Sequence, residues 1–199
     1  MQGTWFKSNI CEGVWLRLIG YSKGQFRRGH FILPIVLLLF FLLSCKKEKP
    51  LVYNFPVNSL ARTIAKFNIK LDNKVSYDGL GSIRIDCEDT TTAYLFVLRD
   101  IPVERPKLVW EVYCKSKDLK GKAFLEIGVQ IPGKYGKGVE TFLHCSRDSL
   151  CGTTDWEKME VEFLVMEKRK VDIVQLNMIV EGSGTVWIDQ VRLTVLPIR

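Results

Sequence analysis

Hydrophobic and polar residues alternate with a period of two along most of the chain beyond residue 50. In residues 123–131 (AFLEIGVQI), Ala123, Leu125, Ile127, Val129 and Ile131 fall on one face, and Phe124, Glu126, Gly128 and Gln130 on the other. Met159, Val161 and Phe163 alternate with Glu160, Glu162 and Leu164; Val174, Leu176, Met178 and Val180 alternate with Gln175, Asn177 and Ile179. Successive side chains of a strand point to opposite faces, so this pattern predicts strands with one face on a core. Further strands are predicted over residues 82–87, 93–98, 108–115, 139–144 and 185–195. Turn-forming residues separate them: Asp78-Gly79, Pro102 through Pro106, Pro132-Gly133, Gly136 with Gly138, and Gly182-Ser183-Gly184. Helical spacing is confined to residues 58–67, through Leu60, Ile64 and Phe67. Eight or so strands without regular intervening helices predict an all-β, antiparallel β-sandwich.

One stretch breaks the alternation. Residues 31–43 (FILPIVLLLFFLL) carry no charge and follow Arg27 and Arg28. As a helix they would span about 20 Å, short of the ~30 Å hydrocarbon core, so they predict a helical export signal rather than a membrane span. The stretch ends in Leu42-Leu43-Ser44-Cys45, which resembles the lipobox of bacterial lipoproteins. The resemblance implies a signal over residues 1–44, lipidation of Cys45, and cleavage just before it. Lys46-Lys47-Glu48-Lys49-Pro50 then form a tether over residues 45–50, and residues 51–199 form the exported sandwich domain. Two or three acyl chains make a durable membrane anchor. Lys46 is not the aspartate that marks inner-membrane retention in some bacteria, which favours the outer membrane or cell surface. The segment before the apolar run, with Trp5, Cys11 and Trp15, is longer than usual; a start codon placed too far upstream explains it.

Charge adds little. The net charge is +7, but residues 1–45 contain five of the 29 basic residues and one of the 22 acidic ones, leaving +3 for the rest. That balance argues against nucleic acid as a partner.

The order of motifs in the exported part is more specific. Asp78 to Ile85 (DGLGSIRI) comes early, followed by Tyr94 to Val97 (YLFV), Trp110 to Tyr113 (WEVY) and Lys115-Ser116-Lys117. Gly152 to Trp156 (GTTDW) follows, and Gly182 to Leu193 (GSGTVWIDQVRL) closes the domain. This resembles the galactose-binding-domain-like jelly rolls, in particular carbohydrate-binding modules of secreted glycoside hydrolases. The resemblance implies a structural calcium held by Asp78, the Gly81 carbonyl and Asp189, since calcium takes six to eight oxygens. Asp189 stands in phase with Trp187, Val191, Leu193 and Val195 on the apolar side of its strand, where an isolated carboxylate is costly. The alternative is that Asp189 caps a turn or pairs with Arg84 or Arg192. No other cofactor is required.

Sugar binding needs an aromatic ring for the apolar face of a pyranose and planar polar groups for its hydroxyls. Outward-phased residues supply both: Glu111 with Tyr113; Phe124 with Glu126 and Gln130; Gln175 with Asn177; and Tyr135 in the Gly-rich loop. Trp110, Trp156 and Trp187 read as core. The partner is then a polysaccharide; in the rival reading the domain is structural or binds an envelope protein. An enzyme is not expected. The exported part has one histidine, His144, and adjacent strand residues such as His144 and Cys145 point to opposite faces. Four cysteines remain in that part: Cys87, Cys114, Cys145 and Cys151. In an oxidising compartment they allow two disulfides, with Cys145 and Cys151 the favoured pair. Cys87 and Cys114 either bridge or stay as buried thiols.

Overall fold

The computed structural model describes residues 49–60, 63–64 and 68–198. The predicted signal, Cys11, Cys45 and five positions of the segment 58–67 lie outside them. Within that segment, the Thr63 N–H and hydroxyl both donate to the Leu60 carbonyl.

The described residues form β1 (Leu51–Phe55), β2 (Ile69–Asp72), β3 (Ser82–Cys87), β4 (Thr91–Glu104), β5 (Pro106–Pro132), β6 (Val139–Cys145), β7 (Leu150–Leu164) and β8 (Lys170–Pro197). Every pairing is antiparallel. β5 and β8 have 27 and 28 residues, and drawn out straight each would reach about 90 Å. Each instead serves two layers. In the first layer the end of β8 lies between the start of β5 and the strands β1 and β3, with β2 outside β3 and β7 outside β5. In the second, the start of β8 lies between β4 and the end of β5, with β6 outside β5. The layers face each other: the ring of Phe55 on β1 lies 4.8 Å from that of Phe96 on β4. This is the antiparallel sandwich that the alternation predicts, with the jelly-roll form that the resemblance implies.

One apolar cluster fills the space between the layers. It takes Ala123, Leu125, Ile127, Val129 and Ile131 from β5 and Val174, Leu176, Met178 and Val180 from β8, as their period-two phase requires. Trp110 is fully buried in it.

The structure adds β1 and β2 to the predicted strands and joins others in two places. Gly182-Ser183-Gly184 reads as a turn in the sequence, yet hydrogen bonding runs through it, and the strands predicted on either side are one strand. The same holds for the two strands predicted within β5. The chain passes between layers where Gly121 is paired with Gly182, both at positive φ (+137° and +99°). A Cβ on Gly121 would lie 1.8 Å from the Glu181 carbonyl oxygen, and one on Gly182 would lie 2.0 Å from that of Lys120. The two backbones cross too closely for any side chain there.

A second local device resets the phase of β8. Glu111 pairs with Arg192 and Tyr113 with Asp189, so three steps on β8 answer two on β5. Gln190, at φ 49°, is the extra residue of a β-bulge. Val191, Leu193 and Val195 therefore point into the core, whereas Trp187 and Asp189 lie on the outer face of the first layer. The expected common phase of Asp189 with Val191 and Leu193 does not hold.

The described cysteines are all free thiols: the favoured Cys145–Cys151 pair is not formed, and Cys87 and Cys114 stay as buried thiols, one of the two alternatives open for them. Register explains this. Cys145 is opposite Glu126, and Leu150, beside Cys151, is opposite Ala123. Three ladder steps along β5 are roughly 10 Å, beyond the ~7 Å Cα separation a disulfide tolerates. Cys114 is level with Ile188 and hence with Ile83, four residues along β3 from Cys87. Both are buried, and burial pushes both thiols up in pKa.

Candidate functional site

The outer face of the second layer gathers five of the expected ligand-binding residues, because the strand pairings set them in rows. One row, across β4, β8, β5 and β6, is Tyr94, Asn177, Glu126 and Cys145. The next is Val97, Gln175, Gly128 and Leu143, and beyond it Arg99, Ile173, Gln130 and Thr141. On the other side of the first row, Thr92, Ile179 and Phe124 stand together. Gly128 lets its neighbours close over the centre of this array: a Cβ there would meet Leu143 at 3.3 Å and Gln175 at 3.4 Å, so those two side chains cover the position.

The polar groups of the face are held in place. The Asn177 side-chain amide donates to Glu126 Oε1 at 3.0 Å. Asn177 is 1% exposed, and its Oδ1 is buried without a hydrogen-bond donor among the described residues. An unmatched buried acceptor costs about 1–3 kcal/mol. The apolar members are open to solvent: Tyr94 is 43% exposed and Leu143 63%. Neither was among the residues expected to bind. Tyr94 carried a legible signal, since it alternates with buried Ala93 and Leu95. Leu143 did not, because an apolar residue on an edge strand reads as core.

The other three expected residues lie elsewhere. Tyr135 is 98% exposed at φ 60° in the turn joining β5 to β6. That turn is tied down by Arg169, which donates to the Pro132 carbonyl and to both oxygens of Glu140. Glu111 and Tyr113 are on the outer face of the first layer. Burial alone would raise the Glu111 pKa, but Lys158 and Arg192 pair with it and hold it below the usual carboxylate range. A carboxylate bracketed by two cations is not free for a sugar hydroxyl. Tyr113 is stacked under Tyr77, ring centroids 3.9 Å apart, and Trp156 meets Tyr77 edge-on at 6.0 Å. Trp156 and Trp187 are thus on an outer face rather than in the core between the layers.

Asp78, Gly81 and Asp189 do come together, but around Ser76 and not in a cation cage. Asp189 Oδ2 accepts from the Tyr77 N–H at 2.7 Å and the Ser76 hydroxyl at 3.1 Å, and Oδ1 accepts from the Gln190 N–H at 2.7 Å. Asp78 turns its carboxylate to the Leu80 N–H. Hydrogen-bond donors aimed at the oxygens do not fit calcium, which needs oxygens in their place. Among the described residues no three His, Cys, Asp or Glu side chains converge on one point. Asp189 pairs with neither Arg84, which binds Asp86, nor Arg192, which binds Glu111; it anchors the turn over residues 76–78.

No protein-family model matches the chain, and no curated protein matches it in sequence. Solved structures do resemble it in fold. The CBM22-1 xylan-binding domain from Paenibacillus barcinonensis Xyn10C matches with a TM-score of 0.52 at 14% identity, over 78% of this chain and 100% of that one. The CBM22-2 xylan-binding domain of the same protein matches with a TM-score of 0.52 at 10% identity, over 72% of this chain and 98% of that one. At these identities the likeness is one of fold: the sandwich is a jelly roll of the kind found in carbohydrate-binding modules.

Proposed function

We propose that the chain is an exported lipoprotein, anchored through Cys45, whose sandwich binds a polysaccharide without cleaving it. The observation that carries the binding reading is the second-layer face. There an exposed tyrosine, a phenylalanine and four planar polar side chains stand in neighbouring rows on one outer face of the sheet. Aromatic rings suit the apolar face of a pyranose, and Glu126, Gln130, Gln175 and Asn177 suit its hydroxyls. The fold supports it, since both related structures are xylan-binding domains. A non-catalytic role is supported by His144, whose ring faces Phe163 while Cys145 belongs to the outer row.

The full-length chain in detergent is tested for retention on a panel of polysaccharides that includes xylan. A bound polymer is expected to be held about 10–100-fold more weakly by Phe124→Ala and by Glu126→Ala, matching ~1–3 kcal/mol per lost contact. Tyr113→Ala, on the opposite face, leaves retention unchanged. If nothing on the panel binds, the domain is a structural or protein-interaction part of the envelope; if both variants hold the polymer as the unaltered chain does, this face is not the binding site.

For the anchor, Cys45→Ala is expected to abolish incorporation of labelled palmitate and to release the protein from membranes. Labelling that survives this change defeats the anchor.

A further inference from the structure

On the side away from the proposed polysaccharide face, the first layer carries a cavity of about 610 Å³. That lies within the ~300–1,000 Å³ of small-ligand sites. Its lining includes four cations, Lys74, Arg84, Lys115 and Lys117, against two carboxylates, Asp72 and Asp118. Trp187 forms part of its floor.

The acids answer the cations only in part. Asp72 is mostly engaged within the protein: Oδ2 accepts the Trp187 indole N–H at 2.9 Å and lies 3.9 Å from one terminal nitrogen of Arg84, and Oδ1 accepts the Lys74 and Val75 backbone N–H groups at 2.9 and 3.1 Å. The Arg84 guanidinium lies 5.5 Å from the centre of the Trp187 ring and gives its Nε to Asp86 at 2.8 Å, leaving its other terminal nitrogen without a partner among the described residues. Lys115 is paired at 2.6 Å with Asp155, whose side chain is almost wholly in solvent. Such an exposed pair is worth little and exchanges readily for another anion. Lys74 and Lys117 form no side-chain hydrogen bond or ion pair among the described residues. Asp118 is the one lining carboxylate that neither a cation nor a hydrogen-bond donor answers there.

We infer that this cavity is a second binding site, for the carboxylate of a uronic-acid residue in an acidic polysaccharide. Lys74 and Lys117 supply the uncommitted positive charge. Arg84 presents a planar fork matched to a carboxylate. Trp187, Val75 and the lysine stems supply apolar surface for the sugar ring. The site shares no residue with the second-layer face and stands or falls without it.

The test uses the full-length chain in detergent with soluble polygalacturonate, and with the same polymer after methyl esterification, which removes the charge and keeps the sugar. Polygalacturonate is expected to bind and the ester to bind at least tenfold more weakly. Lys74→Gln with Lys117→Gln is expected to weaken polygalacturonate about tenfold, and Asp118→Asn to strengthen it. Binding also falls as salt rises, because exposed charges are screened. Circular dichroism confirms that the variants fold. The proposal fails if polygalacturonate does not bind, if the ester binds equally well, or if the lysine variant is unaffected. The Phe124→Ala and Glu126→Ala proteins keep the two readings apart, since retention of polygalacturonate here depends on neither residue.

Discussion

Gly182→Ala is expected to cost the domain roughly 2–6 kcal/mol. Two effects combine. At φ +99° any residue with a Cβ carries backbone strain of about 1–3 kcal/mol. The added methyl must also displace the Lys120 carbonyl from 2.0 Å, an overpacking cost of about 1–3 kcal/mol. Gly121→Ala meets the mirror image of this problem against Glu181. A domain of this size is stable by only ~5–15 kcal/mol, so either change removes a large share. Urea denaturation measures it, with Ser183→Ala as the comparison: a surface change between the two glycines, expected within about 0.5 kcal/mol of the unaltered protein. If the Gly182→Ala midpoint matches that of Ser183→Ala, the close crossing does not exist.

Asp189→Ala is expected to cost about 3 kcal/mol. It leaves the Tyr77 N–H, the Gln190 N–H and the Ser76 hydroxyl without their acceptor, and an unmatched buried polar group costs ~1–3 kcal/mol. The loss is not complete for each, because residue 77 lies partly in solvent. Asp189→Asn keeps one acceptor oxygen but turns an NH₂ towards donors, so it should fall between the two. The turn over residues 76–78 loses its attachment, and proteolysis between β2 and β3 is expected to speed up before the rest of the sandwich opens. Calcium separates this role from a cation site. Adding calcium or a chelator should leave the unfolding midpoint of the unaltered domain in place. A calcium-dependent rise that Asp189→Ala abolishes would restore the metal.

The two predictions show where the sequence was legible. Period-two alternation predicted strands and their inward faces, because the core accepts only one phase: Ala123 to Ile131 and Val174 to Val180 point as their pattern requires. It did not show where hydrogen bonding continues through glycines. Gly182-Ser183-Gly184 has a turn's composition, but here glycine is needed for close approach between two strands. Nor did it show the bulge at Gln190, where a single extra residue reverses the face of everything before it. That reversal put Asp189 on the outer face of its layer, where its carboxylate meets the turn over residues 76–78.

For the candidate site, outward phase selected Phe124, Glu126, Gln130, Gln175 and Asn177, which share a face because β5 and β8 are neighbours there. Glu111 and Tyr113 have the same phase on the same strand. They are on the opposite side of the molecule, because β5 has changed layers between residues 113 and 124. Phase along a strand is local information, and which layer a segment belongs to is not.

The long strand β8 has a kinetic consequence. It is the central strand of both layers, and it follows the other seven described strands in sequence. Until residues 170–197 are made, β1, β3 and β4 lack the strand on which they pair, and Leu51 must wait for Val195. With most of its contacts non-local, such a chain folds slowly. Sheets that stay incomplete until β8 docks leave the edges of β1, β3 and β4 open to pairing with other chains, so crowding during refolding favours aggregation.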